Sequence, residues 1–129
     1  MLSQFPVDVN LLATDLDAAK AFYAGKLGLA VVMENADGVT FGCGGDSRLV
    51  LTKSTTGTAD TQTQATWRVT NLAAEVADLR SRGVVTETYG VPGPAEGVAD
   101  IGFALAAWFA DPFKNSIGVI EFKEEGLPA

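Results

Sequence analysis

The sequence predicts an α+β fold of two βαβββ modules, with curved mixed sheets around a cavity, and three observations lead to it. The order strand, helix, three strands can be read twice along the chain. The two helix starts, Asp15 and Asn71, stand 56 residues apart, and Leu16 with Leu72, Ala18 with Ala74 and Ala21 with Ala77 keep the same register. A length of 129 residues supports one hydrophobic core. A single domain over 1–129 is therefore expected, with a first module at 7–53, a connection at 54–63 and a second module at 64–123.

In the first module, 7–14 (VDVNLLAT) is apolar and partly β-branched, as a strand requires, and Asp15 is placed to cap a helix. Leu16, Ala19, Phe22, Tyr23 and Leu27 recur every three or four residues. That spacing predicts a helix of about three turns, closed by Gly28 in a left-handed conformation. LAVVMEN at 29–35 reads as a strand, and Asp37-Gly38 is a hairpin signal that sets 39–44 against it. A turn at Gly44 to Ser47 leads to the strand RLVLTK at 48–53, after which STTGTADTQT has no useful periodicity.

The second module opens with QATWRVT at 64–70, a strand pattern ending at the cap candidate Asn71. Leu72, Val76 and Leu79 space a helix that ends near Arg82 and Gly83. VVTETY is a short strand, and GVPGPAEGVAD at 90–100 is a proline- and glycine-rich interruption that reads as a lid. IGFALAAWFA at 101–110 is apolar enough for an internal strand, Asp111-Pro112 begins a turn, and SIGVIEF at 116–122 is the last strand. The terminal EFKEEG stretch reads as a solvated, frayed end.

Composition excludes several function classes. Nine basic against sixteen acidic side chains give a net charge of −7, which repels phosphate backbones and anionic lipid surfaces, so neither nucleic acid nor membrane is an expected partner. No apolar stretch approaches the roughly 20 residues of a membrane span, and the first residues show no secretory pattern, so a cytoplasmic location is expected. Cys43 is the only cysteine and histidine is absent, which removes disulfides, thiolate zinc sites, imidazole relays and histidine-dependent triads. Acids, amides, hydroxyls and backbone are left to do any chemistry.

The segments LLATDLDAAKAFYAGKLGLAV (11–31), WRVTNLAAEVADLRSRGV (67–84) and AAWFADPFKNSIGVIEF (106–122) together resemble the glyoxalase, bleomycin-resistance and extradiol-dioxygenase superfamily, the vicinal-oxygen-chelate proteins. In its metal-using members the ligands come from the first strand of each module and from the strand after the DP-x-x-N turn. The resemblance places those positions at Asp8, Gln64 and Gly118. Two of them are not histidine and the third has no side chain, so no metal cofactor is expected, although an oxygen-rich site for a hard divalent cation is left open. Glu121 is a substitute carboxylate, but strand alternation sets it on the face opposite 118, 120 and 122 unless a bulge intervenes. The resemblance also makes a homodimer an expected assembly.

Alternation puts Asp8, Asn10 and Leu12 on one face of the first strand, and Gln64, Thr66 and Arg68 on one face of its counterpart. These are the expected polar floor of a binding cavity, in which Asp8 either pairs with Arg68 or serves as the one candidate catalytic base. Arg68 is the candidate anchor for a ligand oxyanion, while Arg48 reads as solvated. Phe41 and Trp108 are the candidate aromatic walls, with Tyr89 and Phe109 beside them, and Cys43 reads as a small buried hydrophobe. The function expected is metal-independent binding or sequestration of an aromatic or amphipathic small molecule, as in antibiotic-resistance binders. A glyoxalase-like lyase or isomerase and a structural or partner-binding domain are the alternatives.

Overall fold

Asp15 adopts an extended backbone, and its carboxylate accepts hydrogen bonds from the N–H groups of Asp17 (2.9 Å) and Ala18 (3.2 Å). That cap ends strand β1 (Asp8–Ala13) and starts helix α1 (Leu16–Lys20). The computed structural model describes residues 1–58 and 62–123, so the expected connection is covered only in part, and the acidic end beyond Lys123 lies outside the described residues. The expected three-turn helix departs from α geometry halfway: Ala21–Lys26 is π-helical, with Leu27 N–H donating to Phe22 C=O at 3.0 Å. The wider turn lets two adjacent aromatic residues, Phe22 and Tyr23, both turn inward, with their rings edge-on at 5.1 Å. Gly28 closes the segment at φ 76°, as expected.

Strands β2 (Ala30–Asn35), β3 (Gly38–Gly42) and β4 (Arg48–Lys53) complete the first sheet, in the order β1-β4-β3-β2 with β1 parallel to β4. The hairpin turn is one residue earlier than its sequence signal. Asn35 pairs with Gly38, and the Asn35 side-chain oxygen accepts from the N–H groups of Asp37 and Gly38. Gly38 serves a different need, since a Cβ there would stand 2.9 Å from the Leu51 carbonyl oxygen. Leu11, Val39, Phe41, Leu49 and Leu51 are buried on the face that carries α1 and Tyr23. The edge strand β2 is exposed along its whole length.

The second sheet repeats this plan. Strands β5 (Thr63–Arg68), β6 (Thr86–Glu87), β8 (Ala104–Ala110) and β9 (Ser116–Phe122) lie in the order β5-β9-β8-β6, with β5 parallel to β9 and a short β7 (Ala99–Asp100) also pairing with β8. Helix α2 (Leu72–Ser81) is capped by the Asn71 side chain, which accepts from Ala74 N–H at 3.2 Å. Its N-terminus is held as well by Glu121 Oε1, which accepts from Leu72 N–H at 2.8 Å. Glu121 therefore lies on the helix side of the sheet, where alternation sets it, and caps α2.

Two expected strands are shorter than their apolar runs. Of 84–89 only Thr86–Glu87 pairs, because Val84 N–H is spent on Leu79 C=O at the end of α2 and Tyr89-Gly90 form a turn. In 101–110, Gly102 takes φ 98° and Ile101 N–H bonds Ala104 C=O, which delays the strand to Ala104. The interruption expected as a lid is tightly stitched: Asp100 N–H donates to Pro92 C=O at 2.9 Å, and Val98 is buried. A Cβ on Gly93 would fall 1.9 Å from the Val98 carbonyl oxygen.

The chain divides into two compact units, Met1–Asp60 with the turn Pro112–Asn115, and Thr61–Asp111 with Ser116–Ala129. Among the described residues no helix is long and apolar enough to cross a membrane. In the first unit Asn115 is fully buried, its Nδ2 donating to Leu12 C=O at 2.8 Å and its Oδ1 accepting from Thr58 Oγ1 at 2.6 Å. Asn115→Ala removes the hydrogen bonds to the Leu12 carbonyl and the Thr58 hydroxyl, at a cost of about 1–3 kcal/mol for the two. Urea denaturation is expected to show that loss as a lower midpoint with an unchanged slope.

Candidate functional site

Residues paired directly across strands project from the same face, so register sorts the candidates. In the first sheet, Asp8 lies opposite Arg48, which lies opposite Gly42; Asn10 lies opposite Val50, which lies opposite Thr40. Phe41 and Leu49 belong to the other face, under α1. Phe41 is fully buried with its ring 5.5 Å from that of Tyr23, so the expectation that it walls a cavity is corrected: it is a core residue. The face turned away from α1 carries Asp8, Asn10, Leu12, Arg48, Val50 and Thr40, and Leu12 is 40% exposed.

Asp8 is held by Arg48, with Nη2 to Oδ2 at 2.8 Å and Nε to Oδ1 at 3.3 Å. Alternation alone pairs Asp8 with Arg68; the parallel register of β1 on β4 sets residue 48 beside residue 8 instead, while Arg48 itself stays exposed, as expected. Hydrogen bonding to the guanidinium, aided by its charge and opposed by partial burial, holds the Asp8 carboxyl below the usual carboxylate range. The same contacts raise the pKa of Arg48.

In the second sheet, Thr66, Gly118, Trp108 and Glu87 lie opposite one another in a row, and Arg68, Ile120 and Ala106 form the next row on that face. Trp108 is thus turned away from α2, whereas Phe109 is buried on the helix side. Gln64 leaves the pattern. A β-bulge between Thr63 and Ala65 frees it from the ladder, and its Oε1 accepts from Ser116 N–H at 2.9 Å, closing the start of β9. Arg68 is exposed and makes no ion pair among the described residues.

Gly118 is closely flanked: a Cβ there would stand 3.2 Å from Thr66 Oγ1, 3.3 Å from Thr63 Cγ2 and 3.5 Å from Trp108 Cδ1, so a side chain at this position requires small shifts of its neighbours. Asp8 belongs to the first unit, Gln64 and Gly118 to the second. Among the described residues no group of three or more cysteine, aspartate or glutamate side chains is placed to hold a metal ion.

One feature of this face has only a weak signal in the sequence. Tyr89 and Gly90 both have positive φ, 55° and 78°, and Val91 N–H donates to Thr88 C=O at 3.1 Å, which makes a mirror-image hairpin-type turn. Such a conformation costs a non-glycine residue about 1–2 kcal/mol. Glu87 Oε1 supports the turn by accepting from Thr88 N–H (3.2 Å) and Tyr89 N–H (3.0 Å). The Tyr89 ring lies 5.4 Å from that of Trp108, tilted by 51°, a contact worth about 0.5–1.5 kcal/mol. The glycine at 90 marked a turn, but nothing in the sequence showed that tyrosine would share its backbone region.

Elsewhere, a shallow hollow of about 330 Å³ is lined by Thr14, Asp15, Leu16, Asp17 and Lys53, where the Asp15 carboxylate is spent capping α1. Cys43 is half-buried, its N–H donating to Ser47 C=O at 3.0 Å in the turn before β4.

The family profile described as the Glyoxalase/Bleomycin resistance protein/Dioxygenase superfamily matches residues 7–119. No curated protein sequence matches the chain significantly. Among solved structures the fold is similar to a glyoxalase family protein from Bacillus anthracis, with TM-score 0.73, 18% identity, and 93% of this chain and 96% of that chain covered. It is also similar to TnmS3, an antibiotic binding protein from Streptomyces sp. CB03234, with TM-score 0.70, 23% identity, and coverage of 90% and 93%. A third is lactoylglutathione lyase from Agrobacterium tumefaciens, with TM-score 0.63, 24% identity, and coverage of 91% and 96%.

The depressed pKa of Asp8 carries a signed pH dependence. Its ion pair contributes fully above the unfolded carboxylate value of about 3.9 and is lost as pH falls through the lower folded value. Denaturation midpoints of the wild type and Asp8→Asn, measured from neutral pH downward, are expected to differ in favour of the wild type and to converge over that acid interval. A gap that widens on acidification contradicts the pairing.

Proposed function

Because the chain belongs to the glyoxalase/bleomycin resistance protein/dioxygenase superfamily, we propose that it binds an aromatic or amphipathic small molecule without a metal ion. The observation that carries the reading is Trp108, a half-buried indole on the face turned away from α2, in one row with Gly118 and Thr66 and beside the row of Arg68. An indole offers a stacking surface, and a guanidinium offers a forked donor for a carboxylate or enolate oxygen. Affinity would come mainly from apolar contact, with Arg68 and Thr66 selecting the polar end of the ligand.

The residues at the superfamily's metal positions suit a metal ion poorly. The Asp8 carboxylate has a guanidinium as its cation, the Gln64 oxygen is engaged by a backbone N–H, and Gly118 offers no donor atom. A lyase or isomerase that forms an enediolate needs strong positive charge at the developing oxyanion. Asp8 is also a poor base for such chemistry, since its lowered pKa weakens it. The description of TnmS3 as an antibiotic binding protein favours the binding reading.

Native mass spectrometry of the chelator-treated protein against a mixed panel of aromatic metabolites and antibiotics tests this. Retention is expected to be the same before and after divalent ions are restored. Trp108→Leu is expected to weaken it about tenfold, equivalent to about 1.4 kcal/mol. Retention or turnover that appears only with one divalent ion overturns the proposal.

A further inference from the structure

We propose that Tyr89 is a displaceable cover on the indole of Trp108, and that the ligand of this face is a planar aromatic molecule bearing a carboxylate, which takes the place of the tyrosine ring and reaches Arg68. The inference rests on the binding reading above and adds to it the ligand class and the residue that sets its affinity.

The geometry points to displacement instead of enclosure. Two aromatic planes with a third between them must stand about 7 Å apart, twice the carbon contact distance. The Tyr89 and Trp108 ring centroids are 5.4 Å apart, so no ring fits between them. A ligand that stacks on this side of Trp108 must move Tyr89, a residue already 67% exposed to water. Moving it is eased by the backbone, because Tyr89 sits at φ 55°, a region that tyrosine disfavours and glycine or asparagine accepts. The tyrosine ring is therefore held over the indole by one ring contact, on a turn that Glu87 pins and that is strained at Tyr89.

The charge preference arises from the other groups on this surface. Glu87, the acid opposite Trp108 in the pairing, is turned back onto the N–H groups of Thr88 and Tyr89. Arg68 lies on the same face, two residues and two strands from Trp108, and makes no ion pair among the described residues. Strand spacing and rise put their Cα atoms about 12 Å apart, a span that an aromatic acid of one or two rings bridges between indole and guanidinium. Ala106 and Ile120, in the row of Arg68, give the floor between them an apolar surface.

The test uses the full chain with 2-naphthoate and its neutral counterpart 2-naphthamide as probes. Affinity is read by calorimetry, and contact by the indole N–H signal of Trp108 in ¹⁵N NMR, assigned with Trp67→Phe. A closed cover lowers apparent affinity by the fraction of time the site is open. Tyr89→Gly and Tyr89→Asn, which fit the turn and lack the ring, are therefore expected to bind 2-naphthoate about five- to tenfold more tightly than the wild type. Tyr89→Phe keeps the ring and is expected to match the wild type, and Arg68→Gln is expected to erase the preference for naphthoate over naphthamide. If Tyr89→Gly and Tyr89→Asn bind no more tightly while the Trp108 signal still shifts, the cover is overturned and the binding reading stands. If the Trp108 signal is unmoved in every variant at about 1 mM probe, far above a micromolar dissociation constant, both fall.

Discussion

A sheet that rests on a helix through one face only must keep strict alternation, because a slip of one residue would carry its whole apolar set into water. Both sheets of this protein are built under that constraint, and the position of every candidate residue depends on it. Phe41 and Leu49 go under α1, so Asp8, Asn10 and Arg48 are turned the other way. Ile117, Val119 and Phe109 go under α2, so Gly118, Trp108 and Thr66 face away. The departure at Gln64 needs an extra residue in β5 to be possible at all.

Alternation within a strand could be read from the sequence, and so could the caps at Asp15 and Asn71 and the α+β class itself. Pairing between strands was harder to read. That β1 would lie parallel to β4, and so bring Arg48 to Asp8, depends on a contact forty residues long in sequence that no local pattern encodes. The Asp37-Gly38 signal was displaced by Asn35, whose side chain closes the turn one residue earlier. The π-helical segment arises from a tertiary demand, two neighbouring aromatic rings both needing cover, which overrides the spacing that predicted a plain helix.

The Asp8–Arg48 pair shows how a neighbouring strand can fix the chemistry of a carboxylate. A guanidinium supplies charge and direction, but it brings no exchangeable coordination position where a substrate oxygen could bind. What this surface presents is a charge-matched pair fixed by the strand register. The acidic balance of the whole chain does not alter this, because local pairing, more than net charge, decides what each face presents.

The stitched loop at 90–100 has a practical consequence. Proline- and glycine-rich stretches are the customary choice for grafting an epitope or opening a chain for circular permutation. Here Gly93 lies so close to the Val98 carbonyl that even one added methyl group has nowhere to go. An engineer is better served by substitution at Ala36, exposed in the turn between β2 and β3, because Asp37 beside it is tied to the Asn35 side chain and to Lys53 N–H at the end of β4.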